Sequence, residues 1–363
     1  MSPPLRPVVL LLGCLAVMAA CSDPAPRQEK PAAAKPAAPP VPPRPPVAAP
    51  PPAPAAPSPL AQAVNAAAFD PAATTPQAKQ AYLVRAQVLL DRAHISPGVI
   101  DGREGSNLTL AIGAFQAARR LTVDGQLNPA TWDALVADAA PVLTDYVITP
   151  QDVAGPFTPN IPKDDYEAMA SLPALGYASP LEALAEKFHM DEPLLQALNP
   201  GVDFSRAGTT IVVAALGPDG LDGKVARIEI DNARGVLKAY ADDGRLLAVY
   251  PATVGSTERP APVGEWAVNT VAPRPTYTFD PARLTFGKPK AKLTLKPGPN
   301  NPVGSTWIDL TKDTYGIHGT PDPKLVNKRA SHGCVRLTNW DAAELGAAVQ
   351  KGAKVVFEGK PVR

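Results

Sequence analysis

Cys334, His332 and His318 are the residues whose types and spacing could do covalent chemistry. They fall in the stretch from Tyr315 to Leu337, YGIHGTPDPKLVNKRASHGCVRL, with His332 two positions before the cysteine and His318 sixteen before it. A cysteine attacks only as its thiolate, so it needs a neighbour that lowers its pKa or takes its proton. Histidine titrates near neutrality and is the usual partner. In an extended segment, the side chains of His332 and Cys334 would share a face. His318, which follows an apolar, strand-like lead-in, could meet the thiol only through the fold. Two other readings use the same residues. Two histidines and a cysteine would serve a catalytic zinc, although no carboxylate or second cysteine stands at a finger-like spacing. Ser331 could be the nucleophile, but a thiol lies three residues away.

The N-terminus bears on what that thiol is. Residues 1–20, MSPPLRPVVLLLGCLAVMAA, carry one positive charge at Arg6, an apolar run from Val8 and small residues at the end, the pattern of an export signal. The run is short for a membrane span. Met18, Ala19 and Ala20 followed by Cys21 resemble a bacterial lipoprotein signal, which implies that Cys21 is lipidated. Ser22 after it weakly favours the outer membrane in that pattern. Cys14 stands in a rival box, and ordinary secretory cleavage leaves Cys21 a bystander. Of the three cysteines, two lie in the signal region, so Cys334 is left alone in the exported body. Export normally pairs cysteines or removes them, and a lone thiol there points to catalysis.

Composition sets the remaining bounds. The net charge of +1 gives no basic field for nucleic acid and no acidic tail. The 46 prolines concentrate near the N-terminus. Residues 24–59 are a proline and alanine tract that cannot bury a core and favours an extended spacer with a reach on the order of 100 Å. Residues 21–77 therefore read as a linker. After it, about 300 residues leave room for two or three domains.

From Ala78 the periodicity is helical, with Tyr82, Ala86, Leu89 and Ala93 on one face. Asp101-Gly102 and Asp124-Gly125 mark turns around a second run, Leu108, Ile112 and Phe115. Asn128-Pro129 reads as an N-cap followed by proline at the first helical position, with Trp132 and Leu135 beyond it. Residues 98–135 resemble the three-helix peptidoglycan-binding domain, which is placed at 78–138. Residues 139–175 are proline-rich and read as a connector. In 176–216, short helices near Leu181 to Phe188 and Leu194 to Leu198 precede a strand at Thr210 to Ala214. That segment resembles a divergent LysM module, a glycan-binding family, in strand-helix-helix-strand order; an ordinary packing subdomain is the alternative. His94 and His189 read as surface or packing residues.

From Lys224 the period changes to two. Strands are expected at Val225 to Asp231, Gly235 to Ala241, Leu246 to Val254, Gly264 to Val271, Ser305 to Leu310, Gly316 to His318 and Ala353 to Phe357, with a hairpin turn at Asp242-Asp243-Gly244. One helix interrupts them, opened by Thr338 and Asp341 and stopped at Gly352. The segment from Pro273 to Pro302 is long for a plain loop and fits a substrate-gripping lid. Its lysines, Lys288, Lys290, Lys292 and Lys296, could attract acidic groups or simply form a solvated face.

Ile317-His318-Gly319-Thr320 and Ser331-His332-Gly333-Cys334-Val335-Arg336-Leu337 resemble the motifs of the YkuD-type L,D-transpeptidases, at that family's spacing, within residues 224–358. The resemblance implies a multidomain protein with a mostly-β catalytic domain, a β-sandwich with one packed helix, preceded by the peptidoglycan-binding domain and the small α+β LysM-like module. It implies Cys334 as nucleophile, His318 as base, His332 as an ordering or polarising group, and the amides of Gly333 and Cys334 as oxyanion donors. Arg336, Ser331 and Gly319 would lie against substrate. The third, orienting member of the triad would be a backbone carbonyl, without an assigned residue. No cofactor or metal is implied. The partners implied are peptidoglycan stem peptides and glycan strands, the membrane through the lipid anchor and a protein lysine as one possible acceptor, in the periplasm. Crosslinking, attachment of a protein to the wall and hydrolysis by water share the first half-reaction, and a non-catalytic wall-binding lipoprotein is the rival of another class.

Overall fold

The computed structural model describes residues 59–163, 165–255, 260–282, 290–328 and 333–359. The signal at 1–20 with Cys14, the lipidation candidate Cys21, the proline tract through residue 58, Lys288, Ser331 and His332 lie outside the described residues.

The chain begins with four helices, α1 (Pro59–Asn65), α2 (Pro76–Arg92), α3 (Ser106–Ala118) and α4 (Pro129–Leu135). Helix α1 lies in the segment expected to be linker. The proline repeat ends at Pro59, and the alanine-rich run that follows buries Ala61 and Val64. The Asn65 carboxamide then takes the N–H groups of Val142 and Leu143 at 2.6 and 2.7 Å. Helices α2 to α4 follow the sequence closely. Gly102 and Gly125 have φ of 66° and 68°, the left-handed region their turns require. Each turn is held by a buried glutamine one helix back. Gln87 accepts from the amides of Asp101 and Gly102, and Gln116 accepts from those of Asp124 and Gly125. Asn128 caps α4 by accepting from the Thr131 amide at 2.9 Å.

The segment expected to be a connector supplies structure instead. It contains β1 (Leu143–Val147), α5 (Pro150–Val153) and α6 (Tyr166–Ser171), and it is followed by α7 (Pro180–Lys187), α8 (Glu192–Leu198) and β2 (Thr210–Ala214). Strand β1 pairs antiparallel with β2 along its whole length. The first strand of this α/β module therefore precedes the window 176–216. A five-residue strand flanked by prolines gives too short an alternation to read. Side chains of both this module and the helical domain share one buried core, which extends to Val249 of the next domain.

That domain contains β3 (Val225–Asp231), β4 (Val236–Tyr240), β5 (Leu246–Pro251), β6 (Thr253–Val254), β7 (Gly264–Pro273), β8 (Tyr277–Phe279), β9 (Leu293–Leu295), β10 (Thr306–Leu310), β11 (Gly316–His318), β12 (Val335–Arg336), α9 (Asn339–Ala348) and β13 (Val349–Glu358). Nine of its strands run in the order β5-β4-β3-β13-β7-β10-β11-β12-β6. Two stretches of chain serve both layers of the sandwich. The first half of β7 pairs with β13 and the second half with β10, while β5 and β6 are separated by Ala252 alone and stand at opposite ends of the order. Helix α9 packs on β10, β11 and β7. It ends at Ala348 and passes directly into β13, so Gly352, expected as its stop, sits in the strand. Its φ of 84° falls where the register shifts between Val349 and Lys354.

The segment from Pro273 to Pro302 carries the hairpin β8-β9. Tyr166 of α6 packs its ring against Tyr277 and Phe279 at 5.9 and 5.4 Å, and Met169, Leu175 and Leu295 form a buried cluster beneath. Burial of one such side chain stabilises by about 1.5–3 kcal/mol. The former connector and the expected lid therefore hold one another.

Candidate active site

Strands β11 and β12 run parallel, with Ile317 opposite Val335 and His318 opposite Arg336. Alternation along a strand then sorts the side chains. Ile317, Val335 and Leu337 are fully buried in the sandwich core. His318 and Arg336 face the other way, and Cys334, two residues before Arg336, shares their face. The pairing of a three-residue strand with a two-residue strand thus brings together the two ends of a sixteen-residue separation.

The His318 ring is buried and fixed from two sides. Its Nδ1 lies 2.6 Å from the Gly319 carbonyl. A carbonyl only accepts, so Nδ1 carries the proton and Nε2 is left as the acceptor. This carbonyl is the candidate for the orienting group to which the sequence assigned no residue. The Trp307 indole stacks on the imidazole at 5.6 Å and 17°, from the position opposite His318 on β10. Gly316 makes room for it, since a Cβ there would lie 2.5 Å from the indole. Burial first, and then the Arg336 charge, push the His318 pKa down to about 3 against the carbonyl hydrogen bond that raises it. The ring is neutral at physiological pH.

Cys334 is half-buried, and its Sγ–H points to the Thr314 carbonyl at 3.7 Å. Thr314 has φ of 69°, an uncommon conformation for a β-branched residue and one that concentrates at functional sites. Gly333 has φ of 106°, which suits glycine alone at the approach to the thiol. Burial lowers the pKa of Arg336 while Asp322 raises it, and its buried Nε has no hydrogen-bond acceptor among the described residues.

Gly319, expected against substrate, packs against the start of α9. Its carbonyl holds His318, and a Cβ on it would lie 2.2 Å from Oδ1 of Asn339. Asn339, the first residue of α9, is buried behind the turn that follows β11. It takes the amides of Ser305 and Thr320 at 3.0 and 3.1 Å. Trp307 and Asn339 had no signal in the sequence beyond their strand and helix positions, and Thr314, in the turn between β10 and β11, had none. Beside Arg336 lies a cavity of about 650 Å³, lined by Thr320 and Asp322 of the turn, Lys163 and Tyr166 of the segment between β1 and α7, and Glu182 and Glu192 of α7 and α8. Lys163 is paired with Asp322 across it. His94 and His189, expected at the surface or in packing, make ion pairs where modules meet, with Glu344 at 2.8 Å and Asp91 at 3.0 Å.

A β-sandwich that presents a thiol and a neutral imidazole on one sheet face defines a candidate thiol-dependent acyl-transfer enzyme. Comparison with known proteins gives the family. Residues 225–357 match the L,D-transpeptidase catalytic domain, YkuD, and residues 79–135 match the peptidoglycan binding domain. A Bacillus licheniformis protein named as an L,D-transpeptidase, YkuD, is 30% identical over 178 residues, which are 48% of this chain and 91% of that protein. An Escherichia coli protein named as an L,D-transpeptidase, YbiS, is 27% identical over 197 residues, 52% of this chain and 63% of that protein. A solved L,D-transpeptidase from Mycobacterium smegmatis is 18% identical with a TM-score of 0.31, over 42% of this chain and 64% of that one. The aligned region is thus less than two thirds of the latter two proteins. The chain belongs to the YkuD family of L,D-transpeptidases and carries a peptidoglycan-binding domain ahead of its catalytic domain.

Proposed function

We propose that this protein is a lipid-anchored periplasmic L,D-transpeptidase that uses Cys334 to cleave the diaminopimelate to D-alanine bond of a tetrapeptide stem. The observation that carries the reading is the β11-β12 register, which puts Cys334, His318 and Arg336 on one face with the imidazole held by the Gly319 carbonyl. In this reading Nε2 of His318 takes the thiol proton as Sγ attacks the diaminopimelate carbonyl. The oxyanion forms against the amides of Gly333 and Cys334. The carbon–nitrogen bond then breaks, the His318 proton goes to the departing D-alanine amine, and a thioester remains. An amine resolves it: the side-chain amine of a second stem gives a crosslink, and a protein lysine gives wall attachment. Arg336, with a buried donor to offer, is placed to receive a substrate carboxylate. His332 and Ser331, which immediately precede Gly333 in the sequence, would complete the site.

The domain limits proposed are a signal at 1–20, a spacer from 21, the peptidoglycan-binding domain at 78–138, the LysM-like module around 176–216 with its partner strand at 143–147, and the catalytic domain at 224–358. Cys21 would carry the lipid, with the outer membrane as its destination. The chemistry is tested by intact mass after incubation with a carbapenem: one covalent adduct on the wild-type protein and none on Cys334→Ala is the expected result, and an adduct that survives the substitution sinks the thiol mechanism. Muropeptide analysis after incubation with wall separates the acceptors. New diaminopimelate-linked dimers mean crosslinking, and tripeptides alone mean hydrolysis.

A further inference from the structure

We propose that Glu186, on α7 of the α/β module, is a positioning residue for the catalytic histidine, acting through Asn339. The proposal rests on the assignment of Cys334 and His318 as nucleophile and base. Its geometry turns on a single peptide plane. The carbonyl that holds Nδ1–H of His318 belongs to Gly319, and the N–H taken by Oδ1 of Asn339 at 3.1 Å belongs to Thr320. These are the two polar ends of the same rigid amide. Holding the N–H therefore aims the carbonyl, and the carbonyl sets the tautomer and tilt of the imidazole.

Asn339 can grip that plane only with its oxygen facing Thr320. Rotation of the carboxamide by half a turn would set N–H groups against the amides of Ser305 and Thr320 and leave them without an acceptor. The groups behind it decide the orientation. The Asn339 carboxamide N–H groups donate to Oε1 and Oε2 of Glu186, both at 3.1 Å, and to the Pro299 carbonyl at 3.1 Å. Glu186 is the only one of these groups supplied by a module outside the catalytic domain. Asn339 and Glu186 are both buried, so a lost acceptor there is not replaced by bulk water at low cost. Burial raises the Glu186 pKa to about 8. The carboxyl is thus mostly uncharged at neutral pH, and glutamine is its isostere, able to accept from Asn339 and to face the Tyr177 hydroxyl that lies 3.4 Å away.

The test compares full-length wild-type protein with Glu186→Ala, Glu186→Gln and Lys187→Ala. Lys187, the neighbouring residue on α7, instead pairs with Asp152 at 2.8 Å and the Tyr146 hydroxyl at 2.6 Å, both outside the catalytic domain. Two quantities are read: kcat and KM for D-alanine release from a tetrapeptide, and the rate of iodoacetamide alkylation at Cys334, located by peptide mass. Glu186→Ala should lower kcat and the alkylation rate about tenfold with KM within about twofold, the signature of a displaced catalytic group. Glu186→Gln should restore both, and Lys187→Ala should leave both unchanged. If the alanine variant does not fold, Glu186→Met fills the space without offering a comparable acceptor and carries the same expectation. Wild-type rates in Glu186→Ala, an equal loss in Lys187→Ala, or a glutamine variant as poor as alanine would overturn the proposal. Absence of a carbapenem adduct on Cys334 of the wild-type protein would instead remove the assignment of the nucleophile.

Discussion

His318 and Arg336 stand directly opposite one another on parallel strands, a base facing a permanent cation. Burial and that cation together depress the histidine to about 3, with burial the larger cause. A preformed thiolate–imidazolium pair is therefore not the resting state. In the proposed mechanism the imidazole starts neutral and takes the proton as the thiol attacks.

Removing the cation should move the histidine. In Arg336→Met the His318 ring nitrogens, followed by NMR, should titrate at higher pH than in the wild type while staying below the ordinary 6.5, because burial remains. The sign follows from charge: a nearby cation disfavours imidazolium, and its loss favours it. An unchanged titration would mean that Arg336 does not act on the ring.

Loss of the base should be larger than loss of the cation in its effect on chemistry. His318→Gln keeps a side chain of similar reach but cannot take the thiol proton, and acylation should fall by about 10²–10⁴-fold. The fall should shrink as pH rises, since hydroxide ionises the thiol without help. A deficit that stays constant from pH 6 to pH 9.5 would argue against a general-base role.

The Gly319 position tests the packing behind the ring. Gly319→Ala would set a Cβ 2.2 Å from Oδ1 of Asn339 and 3.2 Å from its Cα, both on the first residue of α9. Oδ1 is the end of its side chain but is pinned by the amides of Ser305 and Thr320, and Cα is backbone, so the carboxamide, the helix or the turn must shift. Overpacking of this kind costs about 1–3 kcal/mol. Thermal melting should show that loss together with slower Cys334 alkylation, and a variant that melts like wild type would refute the close approach.

The parts of this site that were readable in the sequence are those that a single stretch of chain carries. Cys334, His318 and Arg336 lie within nineteen positions, and their resemblance to the family motifs pointed to thiol chemistry before any fold was considered. Strand β12 was not readable, because two residues show no period, yet its pairing is what brings Cys334 to the face of His318. Asn339 looked like an ordinary helix residue, and its role comes from Gly319, Ser305 and Glu186, each on a separate element. Trp307 read as one more strand residue until β10 set it opposite His318. Long-range contacts of this kind leave no local pattern. The connector failed for a related reason: prolines in 139–175 masked β1, whose partner β2 lies more than sixty residues later.

The pH dependence of stability should be written largely where the helical domain meets α9. His94 is held above its ordinary pKa chiefly by the hydrogen bond to Glu344, whose other oxygen accepts from Tyr250 at 2.7 Å. A raised histidine binds its proton more tightly in the fold than in the unfolded chain, so its stabilisation is complete below about 6.5 and is lost as pH rises through the folded value. Burial raises Asp341, which accepts from Ser96 beside this pair, to about 7, and a carboxyl kept protonated by the fold also weakens it as pH rises. Both groups act in one direction, and the melting temperature should fall between pH 6 and pH 8.5. His94→Gln separates them. It should cost stability at pH 6 and little at pH 8.5, which leaves a shallower slope due to the carboxyls. An equal loss at both pH values would show that His94 contributes by packing and not by charge.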